Sequence, residues 1–335
     1  MPTSREVHLV ARPVGEPEPT DFSLVETSVD EPGPGQVLVR NDWVSVDPYM
    51  RGRMNDVKSY VPPFQLNEPM DGGAVGTVVS SGSDDVPVGT SVSHMAGWRE
   101  YALLPTKAVR TVDTSIAPAQ AYLGALGMVG LTAYAGLTEI ANLREGDTVF
   151  VSGAAGAVGS LAGQIARQLG AKRVVGSAGG PEKKRRLIEE FGFDAAIDYR
   201  EGELTRRLAE AAPDGVDVYF DNVGSDHLQA ALNVMNDFGR VALCGAVASY
   251  NATEPVPGPS NLFLAVGKRL NLRGFIVGDH NHLAEEYARR AAGWLAEGKL
   301  HTEETVVDGI ENSVQAFLDM MRGANTGKML VRLPQ

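Results

Sequence analysis

Apolar and polar positions along the chain fall into two textures. Up to about Leu123 the β-branched and apolar residues come in short runs, QVLVRNDWVSVD, AVGTVVSSGS and GTSVSHMAGWREYALL, broken by Pro-Gly and Gly-Ser turns. Runs so punctuated predict an irregular, mostly antiparallel β domain. From Val149 apolar strands alternate with helical patterns. The strands are TVFVSG, RVVGSA, AAIDY, VDVYFDNV, RVALCGA and LNLRGFIV. The helices run to Leu169, from Pro181 to Phe191, near Leu204 to Ala211, from Asp226 to Met235 and near Leu283 to Leu295. Six strands with intervening crossovers predict an α/β fold with a doubly wound parallel sheet of the Rossmann type. The tail from about His301 holds a helical stretch near Ile310 to Met321 and a terminal strand, GKMLVRL. Too small for a third domain, it is expected to complete the first one, leaving a cleft between two bodies.

The first strand of the α/β series runs into "GAAGAVG" and then a helix. In that turn Gly156 lets the backbone approach a pyrophosphate and Gly159 lets the helix pack close, while Ala157, Val158 and Gly159 lie at the helix N-terminus with its free N–H groups. Ala154 holds the first glycine position of the G-x-G-x-x-G pattern, so the match is imperfect. The end of the second strand, where an Asp or Glu would hold an unmodified ribose, carries Ser177, Ala178, Gly179 and Gly180 instead. The next helix opens with Pro181 and brings Lys183 within reach of a 2′-phosphate, whereas Lys184, Arg185 and Arg186 read as a solvated face. This corner is expected to take NADP(H).

Composition narrows the partners. The 335 residues are 43% hydrophobic and 21% charged, enough for two globular domains. A net charge of −12 with no dense Lys/Arg run argues against nucleic acid and anionic membrane surfaces. No apolar segment reaches the roughly 18 residues of a membrane span, so a cytoplasmic protein acting on a small molecule is expected. One cysteine, Cys244, removes any intramolecular disulfide and any zinc site built on several thiolates. The six histidines are scattered. His280 and His282 are close together at an expected helix entry, where a solvated turn is the expectation.

At this point the chain resembles a known family. "SVDPYMRGRM", "VSGAAGAVGS", "FDNVG", "ALCGAVASYNATEPVPGP" and "NTGKM" resemble, in order and over nearly the whole chain, the zinc-independent branch of the medium-chain dehydrogenase/reductases. The subgroup is that of curcumin reductase, prostaglandin reductases (leukotriene B4 dehydrogenase) and 2-alkenal reductases. The resemblance implies a GroES-like β-rich domain over 1–123 and 300–335 and a Rossmann NADP(H)-binding domain over 124–299. It places cofactor contacts at Gly156 to Gly159, Lys183, Tyr199, Asn222, Cys244, Gly245, Ala246, Val247, Ser249, Tyr250, Phe275, Ile276, Val277 and Asn325. It gives the catalytic role to Tyr250, which by position alone is equally an exposed loop aromatic. Tyr49 either packs behind Pro48 or lines the substrate side. The stretch Gly127 to Leu137 predicts a domain-crossing helix with Thr132 near the nicotinamide.

The implied activity is NADPH-dependent reduction of the C=C bond of α,β-unsaturated aldehydes or ketones, with hydride added at the β-carbon. No metal is expected, because "MDGGAVG" puts Gly72 and Gly73 where zinc-dependent relatives carry Gly-His-Glu. The enolate charge then needs hydrogen-bond donors, and a tyrosine hydroxyl is one. Proton delivery to the α-carbon is open between Tyr250 and water. Two other readings share the cofactor, a zinc-free quinone oxidoreductase and a non-catalytic NADPH sensor. Leu270 to Val277 is expected as an apolar edge strand covered by a second copy, hence a homodimer.

Overall fold

In the computed structural model, which describes residues 2–334, the chain forms two compact units. One takes the residues up to Gly124 together with those from Glu304 onward, the other Ala125–Glu303.

The strand Thr148–Val151 (β1) is buried at every position, as befits a strand covered on both faces. Five more follow in chain order: Arg173–Ala178 (β2), Ala195–Asp198 (β3), Val216–Asp221 (β4), Met235–Leu243 (β5) and Asn271–Gly274 (β6). All pair in parallel, in the spatial order β3-β2-β1-β4-β5-β6. The order reverses between β1 and β4, and ligands of such sheets bind beyond the strand C-termini at that reversal. Alternate residues supply the two faces. Val149, Val151, Val218 and Phe220 enter one core cluster, Phe150 and Tyr219 the other, the latter two stacked at 4.9 Å. At roughly 1.5–3 kcal/mol per fully buried large apolar side chain, these layers hold the sheet in place.

The main helices of this unit are Met128–Ala135 (α1), Ala157–Gln168 (α2), Pro181–Glu189 (α3), Leu204–Ala211 (α4), Ser225–Val234 (α5) and Ala284–Ala296 (α6). Beyond Ala135 the first helix widens into a π turn, Gly136–Ile140. Gly136 is there because a side chain would run into the rings of Phe220 and Phe275. The expected strand over Leu270 to Val277 is shorter than its apolar pattern suggested. Only Asn271–Gly274 pairs with β5, and a 3-10 turn begins at Val277. An edge strand has a partner on one side alone, so pairing ends as soon as that neighbour ends at Leu243.

The other unit is built on a seven-stranded sheet in the order Glu304–Asp308, Lys328–Arg332, Gln36–Ser45, Ala74–Ser81, Ser91–His94 and Arg110–Thr111, with Tyr101–Pro105 also paired to Gln36–Ser45. All pairs are antiparallel except that between Glu304–Asp308 and Lys328–Arg332. A separate hairpin joins Thr3–Leu9 to Phe22–Ser28. The C-terminal strand thus lies inside the sheet, and its Met329 and Val331 share a core with Met50, Trp98 and Phe317.

Candidate active site

The glycine turn leaves β1 at the reversal point. Gly153 is left-handed (φ +58°), and the chain reaches Gly156, which precedes α2. A Cβ on Gly159 would collide with the Gly153 carbonyl and come within 2.8 Å of Ala154 Cα, so the helix approaches the turn more closely than any other residue permits. Gly156 faces open space apart from the Gly153 oxygen at 3.3 Å. The N–H groups of the first turn of α2 point outward there, as at any helix start.

Across the reversal, β4 ends in Asp221, and Asn222 follows it. The Asp221 carboxylate, 1% exposed, accepts from the Tyr219 hydroxyl at 2.6 Å, Ser152 Oγ at 3.1 Å and the backbone N–H groups of Val223 and Gly224 at 3.0 and 2.8 Å. Asn222 Nδ2 donates to the Ser152 carbonyl at 2.8 Å. This network binds the ends of β1 and β4 together, and neither Ser152 nor Asp221 was anticipated as a scaffold of the site. Only the parallel pairing of two strands 69 residues apart brings them together.

The segment Cys244–Tyr250 folds over the same ends. The amides of Cys244 and Gly245 donate to the Asp221 carbonyl at 2.9 and 3.0 Å, and Val247 donates to Asn222 O at 3.2 Å. Ser249 Oγ caps the Ala246 carbonyl at 2.8 Å. A Cβ on Gly245 would lie 3.3 Å from both the Tyr250 hydroxyl and the Asn222 carbonyl, so the phenol rests directly against this glycine. Burial, helped by Asp221, pushes the Cys244 thiol up to about 12, which leaves it un-ionised and unreactive at neutral pH.

At the ends of β2 and β3 a second cluster forms. A methyl group on Gly179 would lie 2.9 Å from both the Arg200 Nε and the Tyr199 hydroxyl oxygen. Asp198 turns its carboxylate inward, accepting from the amides of Gly180 at 2.9 Å and Arg200 at 3.0 Å. Lys183, in the first turn of α3, has its pKa lowered by burial and by the Arg200 charge beside it. Arg200 was not foreseen. Its only sequence signal is adjacency to Tyr199, and it joins Lys183 because β2 and β3 are neighbours. Further along α3, Arg185 pairs with Glu182 and Glu189, as a solvated face should, whereas Arg186 is mostly buried against Glu190 and Glu303.

Phe275 packs edge-on against Phe220 at 6.5 Å, with Ile276 and Val277 following beyond the end of β6. Thr132 lies on α1 and bonds its hydroxyl back to the Met128 carbonyl at 2.7 Å. Asn325 and Tyr49 belong to the antiparallel unit. Asn325 Nδ2 donates to Gly327 O at 2.8 Å, just before the C-terminal strand. The Tyr49 hydroxyl is buried without a hydrogen-bond partner among the described residues, and burial, with Asp47 nearby, raises its pKa well above the ordinary phenol range. One buried ion pair joins the two neighbourhoods: Lys328 Nζ lies 3.1 Å from Asp47 and also donates to Val46 O at 2.7 Å.

Residues 5–112 match the family described as the N-terminal domain of oxidoreductase, and residues 157–296 that described as zinc-binding dehydrogenase. The NADPH-dependent curcumin reductase of Escherichia coli (strain K12) is 42% identical over 97% of this chain and 95% of its own length. The chain belongs to the medium-chain dehydrogenase/reductase family. Within it the subgroup is that of curcumin, 2-alkenal and prostaglandin reductases, enzymes that are oxidoreductases. The NADP(+)-dependent 2-alkenal reductase of Nicotiana tabacum shares 39% identity over 98% of this chain and 97% of its own. The crystal structure of CurA from Vibrio vulnificus in complex with NADPH superposes with a TM-score of 0.94 at 39% identity, covering 99% of each chain. Gly72 and Gly73 offer no side-chain donor atoms, and a Cβ on Gly72 would strike Met50 Cε at 2.5 Å and the Trp98 ring at 3.3 Å.

Proposed function

We propose that this oxidoreductase reduces the C=C bond of α,β-unsaturated aldehydes or ketones with NADPH. The observation that carries the cofactor choice is the corner beyond β2. Two cations, Lys183 and Arg200, stand next to each other beside a neutral strand end and a helix N-terminus. Two cations so placed can both reach a dianion, and the 2′-phosphate of NADPH is one. Tyr199 would bound that phosphate, and the first turn of α2 over Ala157 to Gly159 would hold the pyrophosphate. Asn222, the Cys244 to Tyr250 segment, Phe275 to Val277 and Thr132, all of the unit that carries the parallel sheet, are assigned to the rest of the cofactor. When bound, NADPH supplies the hydride.

The chain's own task is to hold the charge that reaches the carbonyl oxygen. Tyr250 is assigned as the donor to that oxygen, and Tyr49, a buried hydroxyl that stays protonated, lines the substrate. Both are phenols, which remain donors at neutral pH without a metal. The names of the relatives, curcumin reductase and 2-alkenal reductase, support an activated alkene as substrate. The open edge of β6 and the exposed Leu262, Phe263 and Val266 beside it support a homodimer.

The test is NADPH consumption with a simple enal or enone, with the product identified. A saturated aldehyde or ketone is expected. Tyr250→Phe should lower kcat by about 10²- to 10³-fold with NADPH affinity unchanged. A hydroquinone formed from a quinone, with enals untouched, would move the chain to the quinone reductases. Binding of NADPH with no turnover across the panel would make it a sensor.

A further inference from the structure

The turn that follows β6 was expected to be solvated, yet His280 is 7% exposed. Its Nδ1 lies 2.6 Å from Glu139 Oε2, and His282 Nε2 lies 2.7 Å from Glu139 Oε1. Two imidazoles thus converge on the two oxygens of one carboxylate, and the three ligating atoms all lie within 4.8 Å of one another. The two rings stand 6.0 Å apart. Glu139 sits on the π turn that ends α1, 141 residues from His280, so the sequence shows a His-x-His pair with no third ligand in view.

We infer that Glu139, His280 and His282 form a binding site for a divalent cation of the zinc class. The donor set, two neutral nitrogens and one carboxylate oxygen, suits borderline first-row cations and does not suit calcium or magnesium, which take oxygens. Three protein ligands leave coordination positions for water, and the site opens to solvent on the side of His282, whose side chain is 58% exposed. At metal bonds of about 2.0–2.1 Å, tetrahedral ligands stand roughly 3.3–3.4 Å apart. The present contacts, each spanned by a proton, need to widen by about 0.7 Å, within reach of small rotations of the partly exposed Glu139 and His282. When a cation takes the nitrogen facing Glu139, each neutral ring carries its proton on the other ring nitrogen.

The surroundings hold the ligands in place. The Phe275 ring meets the His280 ring edge-on at 6.1 Å, and Arg273 Nη1 reaches the Glu139 carbonyl at 3.5 Å. An occupied site would clamp the end of α1 to the segment after β6. The cluster Glu190, His301 and Glu303 is a contrasting case. The Arg186 guanidinium already lies 2.7 and 2.9 Å from its two carboxylates, so a cation there would have to displace a cation.

The experiment uses the full chain treated with a chelator and titrated calorimetrically with Zn2+ alone near pH 7.5. One equivalent should bind. H282A, which alters an exposed side chain, and E139Q should each weaken binding at least about tenfold, while H301A should leave it unchanged. Affinity should fall as the pH is lowered, because protons compete for the imidazoles. Co2+ in place of Zn2+ should give visible bands of a low-symmetry site in the wild type, absent in H282A. Absence of Zn2+ binding, equal affinity in wild type and H282A, or loss of binding in H301A would each overturn the assignment. If E139Q fails to fold, H282A against H301A decides.

Discussion

Arg200 is a single residue on which cofactor choice is expected to turn. If it and Lys183 share a phosphate dianion, removing one charge-assisted contact costs about 1.5–3 kcal/mol, roughly 10- to 100-fold in affinity. Arg200→Ala should therefore raise the Kd for NADPH by that factor and leave NADH binding unchanged. Equal losses for both cofactors would remove Arg200 from the phosphate site. His94 gives a second test, of stability. It is buried, its Nδ1 accepts the Ala96 amide at 3.1 Å, and burial, then Arg99, lowers its pKa to about 4. The unfolded chain binds this proton near pH 6.5 and the folded chain only near 4, so the contribution is complete above pH 6.5 and lost as pH falls towards 4. The loss is of order 3 kcal/mol. His94→Asn should flatten the fall in the urea midpoint between pH 7 and pH 4.5, and an identical fall in both proteins would refute the assignment. Lys183 could be singled out from its place in the motif, and Tyr250 from the family resemblance. Arg200 and His94 could not be, because their roles depend on what lies beside them in space.

Among the elements, the motifs SVDPYMR and NTGKM are far apart in sequence but are fastened by one buried pair, Lys328 with Asp47. Both side chains are below 10% exposed, and Ser45 also donates to Asp47. Lys328→Ala would leave the Asp47 carboxylate buried without its cation, a loss of about 3–5 kcal/mol. Chemical denaturation should read this, and Lys328→Ala with wild-type stability would show that the pair is dispensable. Strands β1 to β5 and their helices were legible because covered parallel strands are apolar throughout and their crossovers carry helical spacing. The last strand was overextended, since apolar spacing reports burial and does not report where a pairing partner stops. Phe275 is apolar because it packs on Phe220, though it lies outside the ladder.

For the whole molecule, the open sheet edge at β6 predicts association. The short helix Leu264–Gly267 leaves Val266 81% exposed and Phe263 72% exposed beside it. Light scattering should find twice the 35.6 kDa chain mass, and Phe263→Glu with Val266→Glu should give a monomer. A wild-type monomer at all concentrations would dismiss the homodimer. Taken by itself, the sequence determined the order of strands and helices, the glycine turn and the missing acid beyond β2, which depend on spacing within a few dozen residues, and the family, which depends on the order of short motifs along the chain. Only the tertiary structure decided that Arg200 joins Lys183, that Asp221 binds Ser152 to Asn222, that Lys328 meets Asp47, and that Glu139 stands between two histidines. Each of these pairs charges or hydrogen-bonding groups across neighbouring elements. Such groups attract or repel according to distance in space, which sequence separation does not measure.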